Sequence, residues 1–123
     1  MIQFLLVFLG GGLGSAARWG VSKLVAQNFN HFFPLATLIS NVLSCIILIG
    51  LMVFFTEKKL LSQNLELLLL VGFCGGFSTF STFSLDTVLL FRTGHAAYAV
   101  FNIAVSAVLC IGIVYLISKK ITF

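Results

Sequence analysis

From Pro34 to Phe55, and again from Ala96 to Ser118, the chain carries no charged side chain. Each run has the length of the ~20 helical residues that cross the roughly 30 Å hydrocarbon core of a bilayer. Two further runs match them: Ile2 to Val25, with Arg18 and Lys23 near enough to its far end to snorkel, and Leu67 to Leu90, with one acid, Asp86. A chain of 123 residues cannot hide four such runs inside itself, because a domain of that size leaves much of its surface exposed. Hydrophobic residues make up 60% and charged residues 8%, against roughly 45–50% and about 25% in soluble domains. The expected fold is an all-α integral membrane protein, one four-span domain over residues 1–123 with spans near 2–25, 34–55, 67–90 and 96–118. Polar links join the spans at Gln27 to Phe33, Thr56 to Glu66 and Phe91 to His95. Pro34 suits the first turn of a helix, where its missing N–H costs nothing.

Several classes of function drop out. The net charge of +4 comes from basic residues scattered in ones and twos between apolar runs, so no basic face for nucleic acid exists and the charges read as membrane ends. Met1 to Phe8 has no basic stretch and no small-residue cleavage site, so the first run is expected to stay in place. Cys45, Cys74 and Cys110 sit in apolar runs without a C-x-x-C or Cys/His pairing and read as small buried hydrophobes. Gly10-Gly11-Gly12-Leu13-Gly14 lacks the Lys-Ser/Thr of a phosphate loop and reads as a close-packing seam. The acids are Glu57, Glu66 and Asp86, and His31 and His95 fall in links, so no catalytic set is present and the chain is not expected to be an enzyme. Energised pumping is not expected either.

Four spans put both termini and the middle link on one membrane face. Lys58, Lys59, Lys119 and Lys120 then lie on that face, and Arg18, Lys23 and Arg92 on the other. Since Lys/Arg asymmetry sets orientation, this near balance implies insertion both ways. A chain present in both orientations pairs antiparallel with itself, and so few helices enclose a path only as a two-fold dimer.

Polar groups inside lipid are costly and mark either helix contacts or a wet path. Thr37, Ser40, Asn41 and Ser44 share a broad face of the second span, and Asn102, Ser106 and Cys110 recur every fourth residue on the fourth. The third span is unusual, because Gly, Cys, Ser and Thr supply nine of the residues from Gly72 to Ser84. Adjacent glycines and clustered hydroxyls weaken a helix, so a break in mid-membrane is expected, with freed carbonyls suited to a small cation and a half-helix N-terminus suited to an anion. Gly72 and Gly76 also fit a close-contact seam. Phe80 and Phe83 lie beside the hydroxyls; ring edges are electropositive, so a phenylalanine turned edge-on accompanies an anion without trapping it.

Gly11-Gly12-Leu13-Gly14-Ser15-Ala16-Ala17-Arg18-Trp19, Thr37-Leu38-Ile39-Ser40-Asn41, and above all Gly75-Gly76-Phe77-Ser78-Thr79-Phe80-Ser81-Thr82-Phe83-Ser84 resemble the Fluc family of fluoride channels. The resemblance covers the whole chain. It implies an antiparallel, dual-topology homodimer in the bacterial inner or cell membrane, with two pores that passively export fluoride from the cytoplasm. Position by position, it implies that Phe80 and Phe83 are pore rings and Asn41 the pore amide, with Thr37 and Ser81 or Thr82 as hydroxyl partners. It also implies that Ser106 lies on a polar track, that Arg18 draws anions into a vestibule, and that the carbonyls of Gly75 and Ser78 hold a structural sodium ion at the dimer axis. Asn102 stands on the pore side where the family has Tyr in some members. Ala36 and Ser44 replace the usual glycine, and Asp86 replaces a common Glu. The rival from another class, a small multidrug-resistance type exporter, expects a membrane-embedded Glu in the first span, and none occurs there. A helix-bundle assembly factor without transport needs neither the Asn stripes nor a broken third span.

Overall fold

The computed structural model describes residues 1–60 and 62–122; Leu61, within the Thr56 to Glu66 link, and Phe123, the last residue of the expected domain, lie outside the described residues. In chain order the elements are α1 (Ile2–Asn28), α2 (Leu35–Lys58), α3 (Gln63–Leu65), a π-helical segment (Glu66–Cys74), α4 (Gly75–Phe77), α5 (Phe80–Arg92) and α6 (Ala96–Ser118). All regular structure among the described residues is helical. Taking Gln63–Arg92 together, four helices are long and apolar enough to cross a membrane. α6 coincides with its uncharged stretch, whereas α2 runs past its own to Lys58, and Lys59, with a left-handed φ of 51°, closes it. Pro34 stands just before the first residue of α2 rather than inside it.

Only 11–22% of the apolar window of each span is buried, so most of the hydrophobic surface faces outward. Phe4, Phe8, Trp19, Val108 and Ile111 are exposed, whereas Ser40, Ser44, Thr87, Asn102 and Ser106 are buried. Polar groups inside and apolar groups outside is the arrangement that lipid selects, since no water is present outside to pair with a hydroxyl or amide.

The interior is organised around a glycine seam. α1 packs most extensively on the π segment and α4, while α6 packs on α2 and α5. A Cβ on Gly10 would run into the carbonyl oxygen of Leu68, one on Gly14 into that of Phe73, and one on Gly76 into that of Gly11. The seam expected from Gly10 to Gly14 and from Gly72 and Gly76 is therefore one continuous backbone-to-backbone contact between the first and third spans.

Past that seam the third span comes apart. α4 ends at Phe77, and Ser78 (φ −79°, ψ 157°) and Thr79 (φ −152°, ψ 119°) are extended before α5 begins at Phe80. The local chemistry explains the restart: the Thr79 hydroxyl accepts the Thr82 N–H at 3.2 Å, as an N-cap does.

Candidate functional site

Three polar residues of α2, Thr37, Asn41 and Ser44, bond to the third span at different heights, while the buried Ser40 hydroxyl has no partner among the described residues. Thr37 Oγ1 donates to Asp86 Oδ2 at 2.7 Å, and Ser44 Oγ donates to the Cys74 carbonyl at 3.0 Å. Between them Asn41 grips the break: its Nδ2 donates to the Thr79 carbonyl at 3.2 Å and its Oδ1 accepts the Thr79 N–H at 2.7 Å. The partners descend from Asp86 to Thr79 to Cys74 as α2 advances from Thr37 to Ser44, so the two elements are laced antiparallel. Asn41 stands in for the helical partners that an extended residue has lost, a requirement where no water is available.

On the far side of α1, Arg18 Nε donates to the Gly76 carbonyl at 3.2 Å, which ties the basic side chain to the turn before the break. Asn102, 1% exposed, donates to Thr87 Oγ1 at 3.1 Å and accepts from Ser106 Oγ at 3.4 Å, while Thr87 Oγ1 donates to the Phe83 carbonyl at 2.8 Å. Ser81 and Thr82 both lie within 3.2 Å of Thr79 Oγ1.

A groove of about 750 Å³ runs between α2, α5 and α6. Its lining brings together Asn41, Ser78, Phe80, Phe83 and Ser106 from the sequence-predicted set, and leaves Thr37, Ser81, Thr82, Asn102 and Arg18 outside it. Phe80 is 80% exposed, and its ring centroid lies 5.7 Å from that of the half-buried Phe83, tilted by 41°. No charged side chain lines the groove. Because an amide nitrogen carries two hydrogens and Asn41 gives one to Thr79, a second remains for whatever occupies the groove.

Gly75 lies just before the break and Ser78 within it. In a continuous helix their carbonyls would accept from Thr79 N–H and Thr82 N–H, which here go to Asn41 Oδ1 and Thr79 Oγ1. What this arrangement offers beside the break is neutral: donors, ring edges and loose carbonyls.

Residues 5–117 match the family described as CrcB-like protein, Camphor Resistance (CrcB). The chain belongs to the CrcB family. A fluoride-specific ion channel FluC of Coxiella burnetii (strain CbuK_Q154) is 43% identical over 113 residues, covering 89% of this chain and 90% of its own length. One of Clostridium perfringens (strain 13 / Type A) is 38% identical over 103 residues, covering 84% and 80%, and one of Rhizobium etli is 41% identical over 115 residues, covering 94% and 92%. A CrcB-family chain with four membrane-capable helices is a multi-pass membrane protein.

Within this CrcB-family fold, sequence reasoning passed over Thr79, the residue on which Asn41, Ser81 and Thr82 all converge. Its signal was present, since a threonine just ahead of an amphipathic run is a typical N-cap. Cys45, Ser84 and Thr87 also line the groove and were not singled out for it, whereas Cys110 joins it from the stripe expected on the fourth span.

Proposed function

We propose that the protein is a fluoride-selective channel through which fluoride leaves the cytoplasm passively. The observation that carries this reading is the groove beside the helix break, which joins neutral donors and two phenylalanine rings without a charged side chain. Moving even a carboxylate-sized ion from water into low dielectric costs on the order of 20 kcal/mol, and a smaller anion costs more, so many donors must replace its hydration. The free N–H of Asn41, the hydroxyl of Ser106 and the ring edges of Phe80 and Phe83 supply donors in this reading. Thr37, Ser81, Thr82 and Asn102 support them from behind, and Arg18 adds positive potential near the entry. A fixed positive charge in the path itself would hold fluoride too tightly to conduct. The relatives named as fluoride-specific ion channels support the same reading and leave no argument for catalysis. A multidrug-resistance type exporter is not favoured, because its embedded first-span acid has no counterpart. In liposomes, fluoride efflux is expected to run down its gradient while chloride hardly passes; equal flux of both halides, or strict dependence on a proton gradient, would refute the channel.

The functional unit in this reading is an antiparallel, dual-topology homodimer in the bacterial inner or cell membrane. Three features support it: the balance of basic residues across the faces, the outward-facing apolar surface, and a groove with one open wall formed by the exposed Phe80. The break, flanked by about equal lengths of the third span, then lies in mid-membrane. Structural sodium fits the residues present, because the carbonyls of Gly75 and Ser78 have lost their helical donors and a hard cation takes oxygen ligands from such unwound backbone. Bound there, sodium would supply the positive charge that pairs those carbonyls at the dimer axis. Adding lysines to the Phe91 to His95 link is expected to bias insertion to one orientation and lower activity, and coexpression with an oppositely biased copy to restore it. A single orientation of the unmodified chain by thiol labelling in intact cells would overturn this arrangement.

A further inference from the structure

One pair of groove residues plays no part in the anion path described above. Cys45 on α2 and Cys110 on α6 both line the groove and are both half-buried, whereas Cys74 is buried behind it. Cys45 follows Asn41 by one helical turn and Cys110 follows Ser106 by one turn, so the two thiols stand on the same helix faces as those polar residues. α2 and α6 pack directly on each other, so the two thiols face the same groove from adjoining helices. Among the described residues no third His, Cys, Asp or Glu joins them. Two soft sulfur donors with no carboxylate joining them favour a soft cation over magnesium or calcium, which require several hard oxygen ligands.

We propose that Cys45 and Cys110 together form a two-coordinate site for a soft, thiophilic cation of the Ag⁺ or Cu⁺ class, and that a cation held there closes the groove one turn beyond Asn41. On binding a monovalent ion, one thiol releases its proton to water and the other stays protonated. The thiolate–metal–thiol unit is then neutral, which is the form that a low-dielectric groove tolerates. No electron transfer is involved. The blocking part of this inference rests on the channel reading of the groove, whereas the binding part does not.

The experiment uses the full chain with Ag⁺ in chloride-free medium and reads two quantities separately: silver retained per chain after desalting, and fluoride efflux from liposomes normalised to each variant's own silver-free rate. The unmodified chain is expected to retain one Ag⁺ per chain. Cys45→Ser and Cys110→Ser are each expected to weaken binding by more than the roughly 10–100-fold that even outer-shell partners of a metal contribute. Cys74→Ser is expected to bind as the unmodified chain does. Micromolar Ag⁺ is expected to stop efflux in the unmodified chain and in Cys74→Ser, and to spare the other two variants. Silver retention that survives Cys45→Ser and Cys110→Ser, or that disappears in Cys74→Ser, overturns the site. Site-dependent retention with undiminished fluoride efflux overturns the blocking claim and places the anion path away from the groove. Absence of fluoride efflux in silver-free protein refutes the channel reading alone, because the retention measurement stands without it.

Discussion

Replacing Phe80 or Phe83 by isoleucine is expected to lower fluoride efflux by about tenfold or more, equivalent to about 1.4 kcal/mol on the barrier, while the protein still assembles. Isoleucine keeps apolar bulk and removes the electropositive ring edge, which is the property the channel reading requires. Phe80 makes the test sharp. Being 80% exposed on the chain, it has little intramolecular packing to lose, so a large effect on flux has to arise from the groove rather than from a disturbed core. If the rings serve packing alone, a conservative aliphatic swap costs less than about 1.5 kcal/mol of stability and leaves flux near normal. The measurement is liposome efflux for each variant, with assembly checked by gel filtration. Normal flux in both variants removes the rings from the path.

A second large effect is expected far from the groove. Gly10→Ala and Gly14→Ala each drive a methyl group into a backbone carbonyl of the third span, a neighbour that cannot swing aside as a flexible side chain would. The cost is expected at or above the upper end of the ~1–3 kcal/mol typical of overpacking. Gly12→Ala and Gly20→Ala meet nothing within 4 Å, and gain up to about 1 kcal/mol of helix propensity instead. Thermal unfolding in detergent and the yield of monodisperse protein separate the two pairs. Equal stability of Gly10→Ala and Gly12→Ala would show that the seam does not hold the first and third spans together.

These two experiments also mark what could be read directly from residues. The four spans were legible because charge is absent over bilayer-length runs, and the interruption after Gly75-Gly76 was legible because glycine and clustered hydroxyls weaken a helix whatever surrounds them. The glycine seam followed from residue size. Partner choice was not legible. The spacing of Thr37, Asn41 and Ser44 places them on one broad face, yet nothing in that spacing says that Asn41 meets both backbone groups of Thr79, or that Thr37 meets Asp86. Those pairings depend on the height at which α5 restarts. Arg18 is a similar case: its charge suggested an outward-looking role, and the fold turns its Nε toward the Gly76 carbonyl. The π-helical winding of Glu66–Cys74 leaves no periodic mark in a stretch that is apolar on every side.

That winding makes chain length itself a constraint. A π-helix closes its hydrogen bonds over five residues instead of four, so it fits more residues into each turn than an α-helix does. The stretch Glu66–Cys74 thereby sets the rotational phase of everything downstream, with Gly76 against Gly11 and Thr79 against Asn41. Deleting one residue while keeping that winding would turn the remainder of the span about its axis by somewhat less than the ~100° that each residue contributes in an α-helix. Every side chain would survive, but the seam and the clamp would point in wrong directions. Substitutions in this stretch are a matter of volume, whereas insertions and deletions are a matter of alignment.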